Sequence, residues 1–338
     1  MKIVVDAFGG DNAPSEIVKG AVTALKAASG FGIVLTGKKD AIKSELDALG
    51  MSADGGRLEI IDANEVITND DAPTAAIRGK TDSSLVVGLD YLKNNADAAA
   101  FVSAGSTGAV LTGATLKIGR IENVSRPALA PLLPCADGSH ILLADCGANV
   151  DCKPEMLLQF GVMGAAYMRA SGIRNPRVAL LNNGAEAKKG NELTKAAYVL
   201  LEGSGLNFVG NMEAREIMSG AADVLVTDGF GGNIALKALE GAALTIFKLM
   251  KEAIMSGGIL PKIGGFLVKN AMKDMRSKLD YTENGGALFL GVSKVVIKAH
   301  GSSKANAVKA AILQAYGLAR AGLTDKIREA MADGSRNG

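Results

Sequence analysis

Two rhythms of apolar residues alternate along this chain. Short aliphatic runs, unbroken by polar residues, are each followed by a longer stretch in which apolar positions recur every three or four residues. Ile3-Val4-Val5 precedes an expected helix over about 14–28, and Gly32-Ile33-Val34-Leu35 precedes one over about 40–49. The same order follows for 98–102 and 105–116, 141–144 and 154–170, 177–181 and 192–201, and 224–226 and 234–254. A strand that is apolar throughout is buried on both faces, so the pattern predicts an α/β fold with a largely parallel, doubly wound sheet. No fixed-period repeat or low-complexity linker interrupts it, and the lobes are expected to exchange strands. Residues 1–338 are therefore read as one bilobed unit.

One region departs from this rhythm. Residues 239–280 hold two amphipathic stretches around SGGILPKIGGF, which predicts a protruding helical hairpin. Leu239, Ala243, Ile246, Met250 and Ala253 fall on one helical face, and Leu267, Ala271, Met275 and Leu279 on another. Such stripes are expected in the core or in a dimer contact. The tip is expected to be a glycine-rich turn that carries Ile259, Leu260, Ile263 and Phe266 beside Lys262 and Lys269, with Lys273, Arg276 and Lys278 following. Apolar residues among cations suit an anionic lipid surface or an acidic carrier protein.

Composition narrows the picture further. With 48% hydrophobic residues and a net charge of +2, the chain has enough apolar material for a large core and no bias towards nucleic acid. Its 3 cysteines, Cys135, Cys146 and Cys152, show no metal spacing and read as apolar thiols in a reducing cytosol. Neither a signal peptide nor a membrane span is expected.

Ligands of such sheets sit beyond the carboxyl ends of the strands, and the small polar residues cluster there. The first strand runs into Gly9-Gly10-Asp11, a corner too unlike a dinucleotide loop to hold one. VSAGSTGA places Ser103, Gly105, Ser106, Thr107 and Gly108 ahead of a helix, where backbone N–H groups could meet an anion or a simple cap could form. Asn149, a candidate for contact with substrate or phosphate, lies between Asp145 and Asp151, which read as turn and capping carboxylates in preference to metal ligands. Lys188, Lys189 and Asn191 surround a glycine and suit a multiply charged anion. Gly231, Gly232 and Asn233 open a long helix, fitted for an oxyanion. His300 ends a strand before Gly-Ser-Ser and is a general-acid candidate. No motif advertises an enzyme nucleophile.

Together VDAFGGDNAP, SAGSTGA, RPALAP, GANVDCKPE, KKGNELT, NFVGNMEAR, VTDGFGGNIALKALEG and KAHGSS resemble the signature segments of the bacterial phosphate acyltransferase (PlsX) family, in order from Lys2 to about residue 315. The resemblance implies an isocitrate/isopropylmalate dehydrogenase-like fold related to phosphotransacetylases, and a homodimer without metal or cofactor. It also implies transfer of a fatty acyl group from acyl-acyl carrier protein to inorganic phosphate for phospholipid synthesis, at the inner face of the membrane, with a membrane acyltransferase consuming the acyl phosphate. On this reading Lys188 and Lys189 hold phosphate with the N–H groups of residues 105–108, Asn233 and the Gly231 and Gly232 amides face the oxyanion, and His300 protonates the departing thiolate or orients phosphate. Gly9, Gly10 and Asp11 line the cleft. The competing readings are a phosphotransacetylase using acyl-CoA, a nicotinamide-dependent dehydrogenase on the same kind of fold, and a non-enzymatic membrane adaptor.

Overall fold

A computed structural model describes residues 1–53, 56–279 and 285–334, without the side chains of 274, 276–279, 333 and 334. Residue 280 and the side chains of Arg276, Lys278 and Leu279, which belong to the expected hairpin, lie outside that description.

The alternation seen in the sequence becomes β1 (Lys2–Asp6), α1 (Ser15–Ala27), β2 (Gly32–Gly37), α2 (Lys39–Ala48) and β3 (Leu58–Asp62), then α3 (Pro73–Gly79), α4 (Ser84–Asn94), β4 (Ala98–Ser103) and α5 (Thr107–Gly113). The expected helix over 105–116 is broken here, because α5 gives way to a π-helical turn, Ala114–Ile118. The short strands β5 (Ala128–Ala130) and β6 (Leu132–Pro134) flank Pro131 and are followed by β7 (His140–Ala144), α6 (Pro154–Ala170), β8 (Arg177–Asn182), α7 (Glu192–Glu202), β9 (Asn207–Glu213) and β10 (Val224–Val226). Two long helices, α8 (Gly229–Ser256) and α9 (Ile259–Leu279), precede β11 (Ala287–Leu290), β12 (Val295–Lys298), α10 (Ala305–Arg320) and α11 (Leu323–Gly334).

The strands form two sheets, ordered β3-β2-β1-β4-β12-β11-β5 and β6-β7-β10-β8-β9. Pairing is parallel except at β12-β11, β11-β5 and β6-β7. The chain changes sheet at Pro131, between β5 and β6, and returns through α8 and α9 to β11 and β12. Val4, Phe101, Leu142, Leu180, Leu225 and Val296 are all fully buried, as strands covered on both faces require. Because β4, β12 and β7 all run towards the same region, their carboxyl ends and the start of α8 surround one space between the sheets.

The hairpin differs from expectation in two respects. Its turn is confined to Gly257-Gly258, and Ile259–Phe266 forms the first turns of α9. Pro261 fits there because the first turn of a helix needs no N–H from it. Beyond Leu239, which packs on the body, the apolar stripes are also not buried: Ile246 is 56%, Leu267 75% and Met275 40% exposed.

Candidate functional site

A cavity of about 250 Å³ opens between the two sheets. Thr107, Gly285, Gly286, Ala287, Lys298, Ala299 and His300 form its wall on the larger sheet. Cys146 and Gly147, which follow β7, form the opposite wall, and Asn233, Leu236 and Lys237 of α8 close one side. Leu129 and Pro131, where the chain crosses between sheets, complete the lining. The hollow thus brings Thr107, Asn233 and His300 together from three distant parts of the sequence.

A buried carboxylate shapes the β7 side. Asp145 accepts from the Leu129 N–H (2.8 Å), the Ala148 N–H (3.1 Å), the Asn149 N–H (2.7 Å) and Asn149 Nδ2 (2.9 Å). These bonds wrap residues 145–149 into a tight loop, and Asn149 Nδ2 ties it to the Pro127 carbonyl at 2.8 Å. Burial pushes the Asp145 carboxyl above its ordinary value, and the donors around it pull it back. The loop then seats α8: the Gly229 N–H donates to the Asn149 carbonyl at 2.7 Å. At Gly232 any Cβ would run into the Asp145 carbonyl, so only glycine lets α8 start this close to β7. Asn149 is thereby a builder of the wall, and Asp145 is the loop carboxylate expected from the turn pattern.

The helix start corrects one expectation. The Gly231 N–H is taken by the side chain of Asp228, the N-cap of α8, at 2.5 Å, and the Gly232 N–H by the Asp228 carbonyl at 3.0 Å. Neither amide is free for an oxyanion; the Asn233 side chain is what α8 presents to the cavity.

The opening corner is a second support. Ser103 Oγ donates to buried Asp6 at 2.7 Å and accepts from the Gly105 N–H at 3.0 Å. A Cβ on Gly9 would lie 2.6 Å from Asp6 Oδ2 and 2.7 Å from the Gly105 nitrogen, so the corner packs directly on the loop after β4. The Asp11 N–H donates to the Gly301 carbonyl (2.8 Å), and Asn12 Nδ2 to the Ser302 carbonyl (3.0 Å). Gly9, Gly10, Asp11, Ser103 and Gly105 are absent from the cavity lining; they brace the loops that carry Thr107 and His300. Ser106 and Gly108 flank Thr107 without lining the cavity, and Gly108 packs against Pro73 of α3.

The electrostatics of the cavity are cationic. Partial burial, with Lys237 and Lys298 nearby, lowers the His300 imidazole from its ordinary value. Its Nδ1 lies 2.8 Å from Ser302 Oγ and 3.3 Å from the Ser302 backbone nitrogen. A backbone N–H can only donate, so Nδ1 accepts and the neutral ring carries its proton on Nε2. Lys237 reaches Glu240 at 2.7 Å along α8. Lys298 is 8% exposed, and burial pulls its ammonium from 10.5 down to about 8. Cys146 is a poor nucleophile, since burial and Asp145 hold its thiol well above the ordinary value. The sequence reading passed over Lys237 and Lys298. Lys298 had a visible signal, a lysine that closes the apolar run Val295-Val296-Ile297 two residues before His300.

Over 316 residues, 93% of each chain, the sequence is 50% identical to the phosphate acyltransferase of Clostridium botulinum. The chain belongs to the phosphate acyltransferase family. It is also 48% identical to the phosphate acyltransferase of Clostridium acetobutylicum over 97% of this chain and 98% of that one. The family model described as fatty acid synthesis protein matches residues 1–326. This family member is an acyltransferase that transfers an acyl group to phosphate. Its fold is shared with a phosphotransacetylase from Streptococcus pyogenes (TM-score 0.62, 21% identity, 95% and 94% of the two chains). It is shared as well with a 4-hydroxythreonine-4-phosphate dehydrogenase from Klebsiella pneumoniae (TM-score 0.54, 12% identity, 94% and 99%). The dehydrogenase-like α/β architecture anticipated from the sequence is thus observed.

Two motifs of this phosphate acyltransferase do not reach the cavity. Lys188 and Lys189 are exposed on the loop after β8 and are not among its lining residues. That loop is tied to β9 instead: Asn182 Nδ2 donates to the Lys189 carbonyl (3.2 Å) and to Asn211 Oδ1 (3.1 Å), and Asn211 Nδ2 to the Glu186 carbonyl (2.8 Å). β8 is separated from β7 by β10, so its loop lies two strands along the same carboxyl edge. Asn191 caps α7, accepting from the Thr194 N–H at 2.9 Å. Among the described residues no helix is long and apolar enough to cross a membrane.

Proposed function

We propose that this phosphate acyltransferase takes its acyl group from acyl-acyl carrier protein and passes it directly to inorganic phosphate, without a covalent acyl-enzyme. The observation that carries this reading is the open cationic cavity between the sheets, lined by His300 and Asn233 together with Lys237 and the buried Lys298. Phosphate held there is the nucleophile. Positioning it against a thioester carbonyl can remove up to roughly 7–11 kcal/mol of barrier in well-oriented cases. The Asn233 amide donates to the developing oxyanion, a contribution of about 2.7–4 kcal/mol for one such donor. The Nε2–H of His300 donates to phosphate or to the departing sulfur. The inactivated Cys146 thiol supports direct attack, because it is the one thiol in the lining and is held protonated.

The whole chain acts as one bilobed catalytic unit on this reading, because both sheets supply walls of the cavity. The exposed apolar surface of the α8–α9 arm, with Ile259, Leu260, Ile263 and Phe266 beside Lys262 and Lys269, supports a homodimer contact and peripheral attachment to the inner face of the membrane, close to the enzyme that consumes acyl phosphate. The test is phosphate-dependent release of free carrier protein from a palmitoyl-loaded donor, with palmitoyl-CoA offered in parallel. Release from the carrier protein, together with hydroxylamine-trappable acyl phosphate, is expected. Turnover of the CoA ester alone, or no dependence on phosphate, refutes the reading.

A further inference from the structure

Lys298 closes β12 at the cavity wall and is nearly inaccessible to solvent. No ion pair joins it to a carboxylate among the described residues. Asp6 of β1 is turned to Ser103, Asp11 acts on it only through space, and Lys237 of α8 adds like charge from the opposite side, where Glu240 is drawn to Lys237. For packing alone a methionine of similar length would serve, since an unpaired buried cation is costly.

The geometry shows what the charge is for. An ammonium carries three N–H donors. Two of them end on backbone carbonyls, those of Ala104 (3.3 Å) and Ala299. The third has no protein acceptor among the described residues, and the space the side chain lines is the cavity. We propose that Lys298 is the phosphate-binding cation of this enzyme, its third N–H donating to an oxygen of inorganic phosphate seated in the cavity. This inference rests on the acyl-to-phosphate reading above. It supplies an anion anchor on the wall of the cavity, whose lining does not include Lys188 and Lys189.

A pH signature follows from the same contacts. Burial brings the Lys298 ammonium to about 8, so near neutrality it is mostly charged. Above that pH the neutral amine keeps its two N–H groups on Ala104 and Ala299 and turns a lone pair to the cavity, opposite the phosphate dianion. His300, held below its ordinary value, is already neutral there.

The experiment is calorimetric titration of the full-length protein with inorganic phosphate, together with steady-state kinetics. Lys298→Met is expected to raise the phosphate Kd and KM at least about 30-fold, with the acyl-donor KM changed less than about threefold. In the unmodified protein the phosphate Kd should rise about tenfold per pH unit above pH 8, a rise that Lys298→Met abolishes. If Lys298→Met fails to fold, the pH series on the unmodified protein decides: a flat Kd between pH 8 and 10 overturns the assignment. A folded Lys298→Met protein with ordinary phosphate affinity also overturns it, while phosphate-dependent carrier release by the unmodified protein leaves the functional reading standing. If phosphate binding follows Lys298 but no carrier protein is released, the reading falls and the phosphate site stands.

Discussion

Asp145→Asn tests whether the loop after β7 is the support of the catalytic wall. Each carboxylate oxygen receives two donors: Oδ1 takes the Leu129 and Ala148 N–H groups, and Oδ2 takes both from Asn149. An amide can match one oxygen only. In either orientation its NH2 group faces two N–H donors, so two bonds to a charged acceptor are lost at about 1.5–3 kcal/mol each. Removing the desolvated charge offsets part of this, and a net destabilisation of about 2–4 kcal/mol is expected. For a chain of 338 residues, with an unfolding entropy of about 2.1 cal/mol/K per residue, that lowers Tm by about 3–6 °C. The assay is calorimetric unfolding run beside phosphate-dependent carrier release. Turnover should fall by at least about tenfold, because the displaced loop carries the Asn149 carbonyl that seats Gly229, and with it the placement of Asn233. Asn149→Ala removes a bond shared with Asp145, so the double variant should be less destabilised than the sum of the singles by about 1 kcal/mol or more. A Tm within about 1 °C of the parent, or strict additivity of the two changes, refutes the reasoning.

Three further outcomes are expected. His300→Ala should lose at least about tenfold in turnover with little change in Tm, since the ring is exposed at the cavity, whereas Lys189→Ala should lose less than about threefold; steady-state kinetics of both compares the two positions directly. Folding lowers Lys298 from 10.5 to about 8, so the unfolded chain binds more protons between those values and stability should rise with pH across that window, by up to about 1.4 kcal/mol per pH unit; denaturant titrations at pH 8, 9 and 10 should show this slope and its loss in Lys298→Met. Leu260→Asp with Phe266→Asp should leave Tm unchanged, because both side chains are exposed, and should abolish flotation with anionic liposomes; undiminished flotation eliminates the start of α9 as the contact.

Local periodicity was enough to reveal most of the architecture. Unbroken aliphatic runs such as Val224-Leu225-Val226 can only be strands covered on both faces, and α6 begins at Pro154 and ends at Ala170, where proline and spacing indicate. It was also enough to locate the strand ends at which Thr107, Asn233 and His300 stand. Function in outline was legible for a different reason, the close agreement of eight segments with one family. Which strand ends meet, however, depends on sheet order and on the two crossings between sheets, and local pattern carries no information about either. For that reason Lys188-Lys189, a plausible anion site in the sequence, is not among the residues that line the cavity, while Lys298, hidden as one polar residue at the end of an apolar strand, is. Likewise the Gly231 and Gly232 amides look free until Asp228 is seen to cap them. Periodicity is a property of neighbours along the chain, and a binding site is a property of neighbours across it.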